Sequence, residues 1–158
     1  MPKCCHLTMT RNCQSDALIK FKKSSPVWTE GKTLTPNGVF DKVVLINLDR
    51  RPDRLAHAVE QCEKVGIQFE KVSGIDGQSK EWQETLSAEK QLVHGVDSCR
   101  HAANNANLRG VLQRAITENW KSFLWLEDDV IFSDDFNGRF SRNIRYVPDD
   151  WLCGKIPM

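Results

Sequence analysis

The spacing of apolar and polar positions changes at Phe40. Before it, residues 1–38 show little periodicity and end in SSPVWTEGKTLTPNG, a stretch rich in turn formers. They are expected to form an extension ahead of the domain, only partly ordered, with 39–158 as the domain itself. After it, KVVLINL (42–48) is a nearly continuous apolar run rich in β-branched residues, as a strand covered on both faces requires. Pro52 suits a first helical turn, and Asp53 suits the same end electrostatically. Leu55, Val59 and Cys62 then recur at helical spacing up to Gly66, a natural helix stop. IQFEKV (67–72) predicts a second strand, which completes a βαβ unit and with it a parallel sheet.

Residues 81–89 predict a helix, and Leu108, Val111, Leu112, Ala115 and Ile116 predict a stronger one. FLWL (123–126) reads as a third buried strand. Phe136, Phe140 and Ile144 mark a last amphipathic helix, broken before Pro148. The fold class is α/β, a mostly parallel sheet flanked by helices.

Composition narrows the classes. A chain of 158 residues with formal net charge +1 has room for one domain, and nothing in its charge suggests a nucleic-acid partner. No apolar run is long enough to span a bilayer, and the first twenty residues hold no secretory apolar core. The six cysteines are then expected to be reduced, and the location cytoplasmic, with peripheral membrane association as an option. Cys4, Cys5, His6 and Cys13 lack the paired spacing of a zinc site. His57, His94 and His101 also lack ligand spacing, and the five tryptophans are expected in or beside the core.

Chemistry concentrates after two of the strands, where open α/β sheets bind their ligands. NLDRRPDR offers Arg50, Arg51 and Arg54 beside a helix start, a combination suited to a pyrophosphate. FLWLEDDVIF places Glu127, Asp128 and Asp129 in a row. A hard divalent cation, Mg²⁺ or Mn²⁺, would make that cluster tolerable. On composition alone a capping or solvated turn is the plainer reading of the acids, and a solvated surface that of the arginines. Taken together, a metal held by acids near a basic loop describes a nucleoside-diphosphate site and the chemistry of nucleotide-sugar-dependent glycosyl transfer. An aspartyl phosphotransferase reading of INLDRR fails, because Asn47 stands where the nucleophile would be and an amide cannot serve.

VVLINLDRRPDRLAHAVEQCEKVGIQFEKVSGIDG, LRGVLQRAITENWKSFLWLEDDVIFSDDF and VPDDW, in that order, resemble glycosyltransferase family 25, the family of lipooligosaccharide-biosynthesis and procollagen galactosyltransferases. The likeness runs over about residues 40–151. It implies a GT-A-like (Rossmann-like) fold, a nucleotide-sugar donor such as a UDP-sugar, and Mn²⁺ or Mg²⁺. By position, Asp129 would be the direct metal ligand together with Glu127, while Glu127 or Asp128 would face the ribose or an outer water. Asn47, Asp49, Arg50, Arg51 and Arg54 would lie along the nucleotide and diphosphate, with Asp76 near the donor pocket.

The implied reaction moves a hexose, for example galactose, to a hydroxyl of a glycan such as lipopolysaccharide or of a protein. Two departures stand out. The family's Ser-His pair is replaced by Asn107 and Leu108, and SCRH (98–101) fits that pair only with a local insertion. The sequence also ends soon after PDDW, so the C-terminal part of the fold is expected to be missing. A partner chain or self-association would then cover the face left bare. The alternative expectation is a catalytically inactive, truncated nucleotide-sugar-binding remnant, or one piece of a split enzyme.

Overall fold

A computed structural model describes residues 3–7, 33–88, 96–147 and 153–154. Its centre is three parallel strands, β2 (Lys42–Asn47), β3 (Glu70–Ser73) and β4 (Ser122–Glu127). Two further parallel strands, β1 (Lys3–Leu7) and β5 (Cys153–Gly154), lie beyond β4, giving the order β3-β2-β4-β1-β5. A five-residue strand therefore falls within the stretch 1–38; the rest of that stretch up to residue 32, with Cys13, Trp28 and the PDDW motif's 148–151, lies outside the described residues.

Strand pleating divides the core. Val43 and Leu45 of β2 and Leu124 and Leu126 of β4 face one side, where they meet Ala58, Cys62 and Val65 of α2 (Pro52–Val65) and Phe136 and Phe140 of α5 (Phe136–Asn143). Val44, Ile46, Phe123 and Trp125 face the other side and pack on Val111 and Ala115 of α4 (Val96–Thr117). Continuous apolar runs in β2 and β4 are the sequence signature of that two-sided burial. A four-residue helix, α1 (Pro36–Val39), precedes β2, and α3 (Lys80–Ala88) joins α4 through the Trp82 indole N–H, which donates to the Cys99 carbonyl at 3.1 Å. No described helix is long and apolar enough to cross a membrane.

Helix α2 ends as Gly66 foretells. Gly66 adopts φ 71°, its N–H bonds to the Glu63 carbonyl at 3.1 Å, and the Ile67 N–H reaches back to Cys62 at 2.9 Å. This double bond is the Schellman motif, and it buries Ile67 against Cys62 in the core. Ile67 is thus spent on closing the helix, so β3 begins at Glu70 rather than at residue 67. The buried stripe of α2 is also rotated from the expected one. Ala58, Cys62 and Val65 face the sheet, while Leu55 only flanks it.

The connections set up the site. From β2 the chain passes through α2 to β3 on one flank, then returns through α3 and α4 to β4 on the other flank. The chain leaving β2 enters α2 on one face of the sheet, whereas the chain leaving β3 returns to β4 through α4 on the other face. That change of face leaves a crevice where α/β sheets receive ligands.

Candidate functional site

A pocket of about 410 Å³ occupies that crevice. Ile46 and Leu48 at the end of β2 form part of its floor, Arg50, Arg51 and Arg54 come from the loop into α2, and Ile75, Asp76 and Gly77 from the loop after β3. Glu127, Asp128 and Asp129 enter from β4, and Arg100, Ala103, Asn104 and Asn107 from α4. The basic and the acidic motifs therefore meet around one cavity, although they are more than seventy residues apart in sequence.

The three acids divide by environment. Glu127 ends β4, and its carbonyl accepts the Val130 N–H at 3.2 Å, closing a tight turn. Asp128 is only 8% exposed. One of its carboxylate oxygens accepts the Asn47 amide N–H at 2.8 Å and the other accepts from Arg54 Nη1 at 3.2 Å. Asp129 is exposed at the pocket, and its carboxylate has no hydrogen-bond or ion-pair partner among the described residues.

Asn47 explains itself through its bonds. Its side chain is buried, and the amide NH₂ donates both to Asp128 and to the Arg51 carbonyl at 3.0 Å. A carboxylate at this position could donate to neither. Asn47 thus braces the loop and does not line the cavity. Asp49 does not line it either. Its carboxylate turns to the β3 edge and accepts from Lys71 and from the Ser73 hydroxyl at 2.9 Å. Those bonds hold its pKa below the usual carboxylate range, Lys71 contributing most.

The arginines are already engaged. Arg50 bridges the pocket rim to Asp76 through both ends of its fork, and reaches Gln78 at 3.3 Å. The guanidinium holds the Asp76 carboxyl below its ordinary pKa. Arg51 forms a bidentate pair with Asp53, at 2.9 and 2.6 Å, which lowers the Asp53 pKa to about 2. Arg54 makes one bond, to Asp128, leaving most of its five N–H donors available at the pocket.

The wall from α4 has no counterpart among the expected site residues. Arg100, Ala103, Asn104 and Asn107 follow helical spacing, but only one is apolar, so hydrophobic periodicity passes over them. Asn107 accepts the Ile75 N–H at 2.9 Å, which fixes the SGIDG loop against the helix. Gly77 permits that contact. A Cβ there would lie 2.6 Å from the Arg100 Cα. Helix α4 runs unbroken through SCRH and through Asn107 and Leu108; Arg100 lines the pocket and Leu108 packs against the core.

No group of three His, Cys, Asp or Glu side chains that could hold a metal ion gathers among the described residues. Glu127 and Asp129 nevertheless supply carboxylate oxygens at one rim. One or two carboxylates completed by substrate phosphates is how Mg²⁺ is commonly held, so the residues present fit a metal that arrives with a diphosphate.

Fold and pocket together define an α/β protein with a charged crevice at the carboxyl ends of two parallel strands. Residues 40–107 match the family model of glycosyltransferase family 25, described as LPS biosynthesis protein. Over that segment the sequence is similar to glycosyltransferase family 25. No curated protein and no solved structure matches it.

Proposed function

We propose that the chain binds a nucleotide-sugar, a UDP-sugar in the first instance, and serves transfer of a hexose to a hydroxyl of a glycan or protein. The supporting observation is the meeting of Arg50, Arg51, Arg54, Glu127 and Asp129 around one crevice at the carboxyl ends of β2 and β4. In this reading the fold is GT-A-like and the location cytoplasmic. Arg54, with Arg51 behind it, lies where a diphosphate would enter beside the start of α2. Glu127 and Asp129 would hold Mn²⁺ or Mg²⁺ against the same diphosphate. A divalent ion bound there supplies Lewis-acid stabilisation of the charge that develops on the departing nucleotide. The protein's own share is to neutralise and orient the diphosphate and to hold the acidic turn opposite the arginines.

The test is thermal stability of the whole chain with UDP, with Mn²⁺, and with both. A ligand that binds only the native state raises the midpoint by mass action. The expected result is a shift that needs both components and disappears in Asp129→Ala. No shift with the pair, in a sample that melts cooperatively, overturns the reading.

A second reading, a nucleotide-sugar-binding module without transfer activity, is favoured by the α4 substitutions. Asn107 spends its carbonyl on Ile75 and Leu108 is directed to the core, so neither supplies the chemistry of a Ser-His pair. It predicts the same midpoint shift, with no release of UDP from any UDP-sugar at high protein concentration.

A further inference from the structure

The acidic triplet invites an assignment in which all three carboxylates face the ligand. We propose instead that Asp128 is a positioning residue which never touches metal or nucleotide. It acts by locking the β4 turn to the β2–α2 loop, so that Glu127 and Asp129 on either side are aimed together. This rests on the donor-site reading above and assigns a division of labour within it.

Asp128 borders the pocket but is largely buried, and each of its oxygens accepts one hydrogen bond from the protein, one from Asn47 and the other from Arg54. Lone pairs remain on both oxygens, but the two bonds fix the direction of the carboxylate. Asn47 is itself buried and has no amide N–H to spare, since its second one holds the Arg51 carbonyl. Three chain segments therefore share one small polar knot: the end of β2, the first turn of α2 and the turn after β4. Buried polar groups of this kind are costly to leave unpaired, so withdrawing Asp128 to bind a ligand would strand Asn47.

Asp129 has the opposite surroundings. It is exposed at the pocket with no partner among the described residues, and Glu127 sits half-buried on the pocket rim. The Glu127–Val130 turn fixes the spacing between them. A residue that pins the centre of this turn sets the direction of both flanking acids. Arg54 is held by the same knot, so the anion-binding guanidinium and the acidic turn keep a fixed separation.

The experiment is a double-mutant cycle on the full chain with Asn47→Ala, Asp128→Ala and the pair, read by free Mn²⁺ in the electron paramagnetic resonance spectrum at fixed UDP. Each single change is expected to weaken Mn²⁺ binding about tenfold, the scale seen when groups that orient ligands are lost. The double variant should be no weaker than the worse single one, because both break one knot. A near-normal Asn47→Ala beside a crippled Asp128→Ala, or losses that multiply, overturns the proposal.

Asp128→Asn guards against failure to fold, since it keeps the shape and one acceptor. It is expected to hold Mn²⁺ within about threefold of the unaltered chain while Asp129→Asn loses at least about tenfold; equal losses overturn the proposal. If the unaltered chain binds no Mn²⁺ with UDP, the donor-site reading is what fails. Thermal midpoints of the same cycle then still decide the knot: non-additive losses support it and additive losses overturn it.

Discussion

Asp128 and Asp129 are neighbours in sequence and opposites in surroundings, one knotted to Asn47 and Arg54 and the other facing the pocket without a partner among the described residues. The sequence made the triplet visible as a chemical oddity after an apolar strand. It could not sort the three acids, because the sorting depends on Asn47, which lies 81 residues away. Asp49 shows the same limit. It sits amid the basic motif, yet Lys71 and Ser73 on the adjoining strand draw it away. Gly77 supplies a prediction at this scale. Adding one methyl group places a carbon 2.6 Å from the α4 backbone, which cannot swing aside like a side chain. Gly77→Ala should cost about 1–3 kcal/mol. The urea midpoint should fall with an unchanged slope; a midpoint equal to that of the unaltered chain would show that the loop does not press on the helix.

Among the elements, β2, α2 and β4 were the most legible, because each carries its signal locally. Apolar runs bounded by turns gave the strands, and Pro52 and Gly66 bracketed the helix. Helix α4 was only half legible. Its C-terminal part shows an apolar stripe toward the sheet, but its first three turns present Arg100, Asn104 and Asn107 to the pocket and leave no such stripe. A helix whose face changes partner midway has no single period to detect. The two-sided sheet yields a test of packing. Leu126 is fully buried between α2, α5 and β2, so Leu126→Ala should lower the unfolding free energy by about 2–5 kcal/mol. Chemical denaturation measures this directly, and a loss well under 1 kcal/mol would place Leu126 outside a packed core.

At the scale of the molecule, charge pairing binds the rim of the sheet. Arg114 of α4 grips Glu70 of β3 and Glu118 and lies 5.0 Å from the Trp120 ring. Its two carboxylate partners, with Asp49, Asp53, Asp76 and Asp134, all have pKa values below their ordinary 4.5 or 3.8. The sign of the linkage follows. A carboxylate lowered in the folded state contributes stability fully above its unfolded pKa, and that contribution fades as pH falls through the folded value. The thermal midpoint should therefore hold from neutral pH to about 5 and drop steadily toward pH 2. Asp53→Asn, which removes the group lowered to about 2, should shrink the difference between pH 7 and pH 2. A midpoint flat across that range would mean these pairs contribute nothing to folding.

The knot between Asn47 and Asp128 has a consequence in time as well as in space. Its two halves are separated by 81 positions, and the β2–β4 pairing that brings them together runs from Lys42 against Phe123 to Ile46 against Glu127. Such pairings form only after a long stretch of chain has been closed into a loop, which slows folding relative to local contacts. The βαβ unit of residues 42–73 can gather from nearby neighbours, whereas the acidic turn joins it only once the longer loop to β4 has closed. Capacity to bind would then emerge with that later pairing, and a half-folded chain would hold its arginines with no opposing acids.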